Sequence, residues 1–127
     1  MTQVVLDSSA VLASLLGEPG GSVALAAARN GSISGINFAE VVSKLIAVGG
    51  AEDQAVAAAS AFGVEVSPID ERQAQLAGLL HSRTRRLGIS MGDAFCLALA
   101  STLRVPVLTS NRHWASLDVG VEVQLIR

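Results

Sequence analysis

Two kinds of apolar segment alternate along this chain, and that alternation constrains its fold more than any other feature. Short runs of strand length, at residues 3–6, 32–34, 64–69, 105–109 and 121–125, are separated by longer stretches with helical spacing. Strands that each feed a helix before the next strand build a mostly parallel sheet with helices on both faces. The expected fold is a three-layer α/β/α architecture, in one domain covering residues 1–127.

The punctuation agrees with this. Helices are expected at 8–16, 22–28, from 37 to just before Gly49-Gly50, at 51–62, from the Asp70 cap to Leu87, and from Ser90 onward. Gly63 and Gly88 stand where a helix would stop in a left-handed cap. Pro68 suggests the end of a strand or an edge position. Val121, Val123 and Leu125 alternate with Glu122 and Gln124, as in an edge strand. The residues after Asp93 (Ala94, Phe95, Leu97, Ala98, Leu99) are apolar nearly all round, the signature of a buried helix.

Composition excludes several classes. Half of the residues are apolar, much of that alanine, yet no uncharged run exceeds residues 54–64. That is well short of the roughly 18 residues a membrane helix requires. Val4-Val5-Leu6 runs straight into Asp7, so no basic-then-apolar leader is expected and a cytoplasmic location fits. Alanine-rich helices can leave apolar faces for a partner, which motivates a homodimer. Cys96 has no cysteine to pair with and is expected to be a small buried hydrophobe. The net charge of −2 gives no bulk affinity for nucleic acid. The basic residues are clustered, however: His81, Arg83, Arg85 and Arg86 in one group, Arg112 and His113 in another. Such runs usually complement a helix C-terminus, and phosphate or acidic-partner binding is the sharper alternative.

Asp7, Glu40 and Asp93 each stand where a strand-like run ends or a helix-like run begins, and Thr109-Ser110-Asn111 occupies a fourth such junction. In an open α/β sheet these junctions gather along one edge. Three carboxylates there repel one another, and a hard divalent cation relieves the repulsion. Each acid also has a sufficient role as a cap. Asp7 can cap the first helix, Asn37 and Glu40 form an N-x-x-E box, and Asp93 stands three residues after Ser90. Capping and metal binding are compatible, because a carboxylate has several lone-pair positions. Other chemistries lack their residues. No nucleophile-elbow spacing, Walker lysine or G-x-G-x-x-G after a strand is present, and two histidines with one cysteine do not make an ordinary zinc site.

Four segments in this order resemble the PIN domains of VapC-type toxin ribonucleases. They are Val5-Leu6-Asp7-Ser8-Ser9-Ala10, Asn37-Phe38-Ala39-Glu40-Val41-Val42-Ser43-Lys44-Leu45, residues 87–100 around Gly92-Asp93-Ala94, and Pro106-Val107-Leu108-Thr109-Ser110-Asn111-Arg112 with Trp114. The resemblance covers essentially the whole chain. It implies a Mg2+- or Mn2+-dependent endoribonuclease, usually the toxin of a toxin–antitoxin pair. Asp7, Glu40 and Asp93 fall on three of the family's acidic positions. Asp7 and Asp93 would hold the ion directly, and Glu40 would act through or orient a water. Ser9, Thr109 and Asn111 would support them, while Arg85, Arg86 and Arg112 would meet the RNA backbone or an acidic antitoxin. The fourth acidic position, usually aspartate, is Asn111 here, which removes a negative charge and should weaken binding of a second cation. Asp118 is expected to cap a turn instead of replacing that acid. Two rivals remain: a catalytically weakened PIN-like binding module that acts through complex formation, and a small-molecule phosphohydrolase on a similar sheet.

Overall fold

The computed structural model describes residues 1–127. Five strands, β1 (Val4–Leu6), β2 (Gly31–Ser34), β3 (Glu65–Ser67), β4 (Val107–Thr109) and β5 (Val123–Leu125), form one sheet in the order β3-β2-β1-β4-β5. All four pairings are parallel. Six helices lie between the strands: α1 (Ser8–Leu15), α2 (Gly21–Ala28), α3 (Gly35–Ala47), α4 (Glu52–Ala61), α5 (Glu71–Thr84) and α6 (Met91–Leu103). Short 3-10 turns follow α5 at Arg85–Leu87 and β4 at Arg112–Ser116. No helix is long and apolar enough to cross a membrane.

The two-residue side-chain period of a strand divides the interior into two cores. Val4 and Leu6 of β1 and Leu108 of β4 turn toward α1, α2, α3 and α4, against Val11, Ala24, Val41 and Ala59. Val5 and Val107 turn the other way, toward α5, α6 and Trp114. This is the three-layer arrangement expected from the alternation of segments. Helix α6 is buried almost all round because it crosses the central strands, and Ala94, Cys96, Leu97, Ala98, Leu99 and Ala100 are all buried. The outer strands β3 and β5 are largely exposed, which accounts for Pro68 just beyond β3 and for the alternation in β5. Gly63 and Gly88 stop their helices at φ +90° and +82°, a backbone that L residues rarely adopt.

One expected boundary is corrected. Helix α3 begins at Gly35, with Ser34 at its N-cap, because β2 runs directly into the helix. Asn37 is therefore the third helical residue and not the cap, and it is buried. Asp118 also departs from its expected role, since it stands exposed and its side chain forms no hydrogen bond.

Candidate active site

The order of the strands locates the site. From β1 the chain leaves through α1 on one face of the sheet, whereas from β4 it leaves through the 3-10 turn that carries Trp114 into the opposite core. Connections that diverge from adjacent parallel strands open a crevice at the strands' carboxyl ends, where open α/β sheets bind ligands. Asp7 immediately follows β1, Thr109 ends β4, and Ser110 and Asn111 come directly after it.

Asp7 is 2% exposed. Its Oδ1 accepts from Ser9 Oγ at 2.7 Å and from the Ala10 amide at 2.9 Å, the second bond capping α1 as expected. Its Oδ2 accepts from Thr109 Oγ1 at 2.6 Å and from Asn111 Nδ2 at 3.2 Å. The donors brace one another: the Ser110 amide donates to Ser9 Oγ, and the Asn111 amide to Thr109 Oγ1, each at 3.0 Å. Burial lifts the Asp7 carboxyl from 3.8 to about 6, against the hydrogen bonds from Thr109, Ser9 and Ala10, and the charge of Asp93 pushes it the same way as burial.

Glu40 and Asp93 approach from two other elements. Ser90 caps α6 and closes a capping box, its backbone N–H donating to Asp93 Oδ2 at 2.9 Å while its Oγ accepts from the Asp93 amide at 3.1 Å. The exposed Glu40 on α3 leans over Gly92 at the start of α6, so close that a side chain at position 92 would meet its carboxylate. The acids favour such a helix N-terminus electrostatically. Asn37 holds this arrangement by donating from Nδ2 to Glu40 Oε1 at 2.8 Å and to the Gly92 carbonyl at 3.0 Å. Sequence reasoning missed that role, because the N-x-x-E spacing also fits a cap.

All three carboxylates act on one buried group. Burial pushes the Cys96 thiol well above its usual range, and the charges of Asp7, Asp93 and Glu40 push it further. Cys96 is thus the buried hydrophobe expected, and all three acids lie near enough for their charge to reach it. No cation of the chain pairs with them, since the only ion pair joins Arg127 to Glu18. The three acids do not stand at the spacing that would hold one ion as they are. Asp93 is turned to its capping box and Glu40 to Asn37, so closure needs side-chain rotation. The donor set nonetheless fits a hard cation: carboxylate oxygens, an amide and hydroxyls, uncompensated in charge.

The remaining predicted residues lie around this cluster. Arg85 and Arg86 are exposed on the 3-10 turn that leads through Gly88 to the start of α6, and Arg112 is exposed just after Asn111. None of them forms an ion pair with the acids. A groove between α1 and α3, about 560 Å³ in volume, has Ser8, Leu12, Ile36, Glu40 and Lys44 in its walls.

The family model of the PIN domain matches residues 4–120. The chain belongs to the PIN domain family. No curated protein matches it in sequence. Among solved structures, a toxin–antitoxin complex from Klebsiella pneumoniae is similar at TM-score 0.77 and 21% identity, with 98% of each chain covered. DNA-bound VapBC from Salmonella typhimurium is similar at TM-score 0.77 and 18% identity over 100% of both chains. VapC20 of Mycobacterium tuberculosis, described as a Sarcin-Ricin loop cleaving toxin, is similar at 0.71 and 20%, covering 94% of this chain and 99% of its own. At these identities the likeness concerns the fold alone.

Proposed function

We propose that this PIN domain is a divalent-metal-dependent endoribonuclease and the toxin of a toxin–antitoxin pair. The observation that carries the reading is Glu40 lying against Gly92 beside Asp93 at the start of α6, with the charge of Asp93 reaching the buried Asp7 and no cation of the chain paired with any of them. Support comes from the family and from structural neighbours described as toxin–antitoxin complexes and as a Sarcin-Ricin loop cleaving toxin. A bound Mg2+ or Mn2+ would supply a water of lowered pKa and neutralise charge on the phosphate oxygens.

The chain's own groups have separable tasks in this reading. Asp7 and Asp93 hold the ion. Glu40, steadied by Asn37, orients the attacking water and accepts its proton. Ser9 and Thr109 fix the rotamer of Asp7, and Asn111 supports the ion. Arg85, Arg86 and Arg112 bind the RNA backbone or an acidic antitoxin segment. The purified chain, given ribosomal and transfer RNA with Mg2+ or Mn2+, is expected to cut at discrete positions. Excess chelator should stop the reaction and restored metal should recover it. The rival reading, a binding module with weakened catalysis, draws on Asn111, which faces Asp7 as a donor where the family usually has an acid. Intact RNA at saturating metal would establish that rival and end the nuclease proposal.

A homodimer belongs to the same proposal. Leu25, Val48, Val56, Leu79 and Leu87 are each at least half exposed, an apolar surplus for a lone domain of this size. Light scattering at micromolar concentration should read twice the chain mass of 13.0 kDa. A monomer reading would refute the dimer.

A further inference from the structure

Asp7 is hydrogen-bonded to capacity. A carboxylate has about four lone-pair sites, and Ser9 Oγ, Ala10 N, Thr109 Oγ1 and Asn111 Nδ2 fill them. Glu40 and Asp93 differ, because Glu40 accepts only at Oε1 and Asp93 only at Oδ2. A cation can therefore approach one oxygen of Glu40 and one of Asp93 directly, but at Asp7 it must displace a donor.

The four donors are unequal. The Ala10 amide is fixed in the first turn of α1. Thr109 is fully buried and makes the shortest contact, at 2.6 Å. Ser9 Oγ is itself held by the Ser110 amide. Asn111 makes the longest contact, at 3.2 Å, from a half-buried side chain at the start of a 3-10 turn. Its terminal torsion is broad and roughly two-fold, so the turn meets a low barrier and its cost is the bond to Asp7 that a bound cation would replace. That turn replaces an N–H pair with a carbonyl oxygen, a ligand that hard cations accept.

We propose that Asn111 is the ion-responsive side chain of this site, donating to Asp7 Oδ2 as seen here and turning over to present Oδ1 when a divalent cation binds. The proposal rests on the metal-dependent reading above and assigns this position a task that aspartate cannot perform. Aspartate has no N–H to give Asp7 and would add a fourth negative charge. Asparagine keeps the acids compatible with one another at the expense of ion affinity.

The test is titration of MgCl2 into the 15N-labelled full chain, followed by NMR and by calorimetry. The Asn111 side-chain amide pair is identified as the one missing from the spectrum of Asn111→Asp. It is expected to shift with the same midpoint as the calorimetric binding curve. Asn111→Asp should bind Mg2+ about ten-fold more tightly, through its added charge. Asn111→Ala, which loses both the donor and the oxygen ligand, should bind roughly three- to ten-fold more weakly. An amide pair that stays still while heat of binding is recorded overturns the proposal and leaves the metal-dependent reading intact. So does an Asn111→Ala variant that binds as well as the parent. If neither the parent nor Asn111→Asp binds Mg2+ at all, both readings fall together.

Discussion

Asp7→Asn will abolish RNA cleavage and, measured without metal at pH 7, will make the protein more stable. The two effects have one cause. Asp7 is nearly inaccessible, and its carboxyl is raised from 3.8 to about 6. Between those values the folded chain retains a proton that the unfolded chain has released. Stability therefore falls as pH rises through this window, and above about pH 6 the full penalty of the buried charge is in force. A shift of this size corresponds to a penalty on the order of 3 kcal/mol. Asparagine removes the charge and remains an equally good cap for α1. Some of the gain is offset because an amide keeps one acceptor oxygen and sets an NH2 against Thr109 Oγ1 and Asn111 Nδ2, which must turn to accept from it. The expected net is about 1 kcal/mol, or roughly 3–5 °C in Tm. The advantage should shrink as the pH of the melt is lowered from about 6 and vanish below about 3, where the wild-type carboxyl is protonated in both states. Saturating Mg2+ should stabilise wild type and leave the variant unmoved, because the ion binds only a folded site that has its ligand. Cleavage should drop by about a hundred- to a thousand-fold, as when a preorganised charge-stabilising group is lost. A variant that still cuts RNA, or that melts lower at pH 7, would show that Asp7 serves only to start α1.

The elements whose identity depends on local pattern were legible in the sequence, and contacts between distant segments were not. Val4, Val5 and Leu6 announce a strand buried on both faces, and the structure divides them between the two cores. Ser90 and Asp93 form the capping box that their spacing suggests, since both partners lie within one turn. Thr109 was ambiguous on sequence alone, because a hydroxyl at a strand end looks the same with or without a partner. Its bond to Asp7 depends on β1 lying beside β4, which a one-dimensional reading cannot supply. Asn37 was misjudged for the same reason. Its second acceptor, the Gly92 carbonyl, is 55 residues away, and the local N-x-x-E pattern offered a complete explanation without it. Asn111 could be read as a change in charge but not as a donor, because the direction of an amide follows from its neighbours in space. A local motif therefore picks out candidate side chains, while sheet topology determines what each one touches.

Gly92→Ala should cost about ten- to a hundred-fold in cleavage while leaving the fold almost unchanged in stability. A Cβ at this position would press on the Glu40 carboxylate, lying 3.0 Å from Cδ and 3.1 Å from Oε1 and closer still to Oε2. The three nearest atoms all belong to that flexible side chain, and Gly92 does not have the positive φ that would penalise alanine. The strain is relieved when a flexible side chain swings aside, and alanine in a helix contributes up to about 1 kcal/mol relative to glycine. Stability should therefore stay within roughly 1 kcal/mol of wild type. The loss falls on chemistry, because Glu40 leaves the place where Asn37 steadies it, and a displacement of about 1 Å in a positioned group can cost about a hundred-fold. A double-mutant cycle tests the cause. If Gly92→Ala acts by displacing Glu40, adding it to Glu40→Ala should change little further, since the displaced carboxylate is already gone. Additive losses would assign Gly92 a separate part, such as close approach of the RNA backbone to the start of α6. Full activity in a folded Gly92→Ala chain would remove Glu40 from the catalytic arrangement altogether.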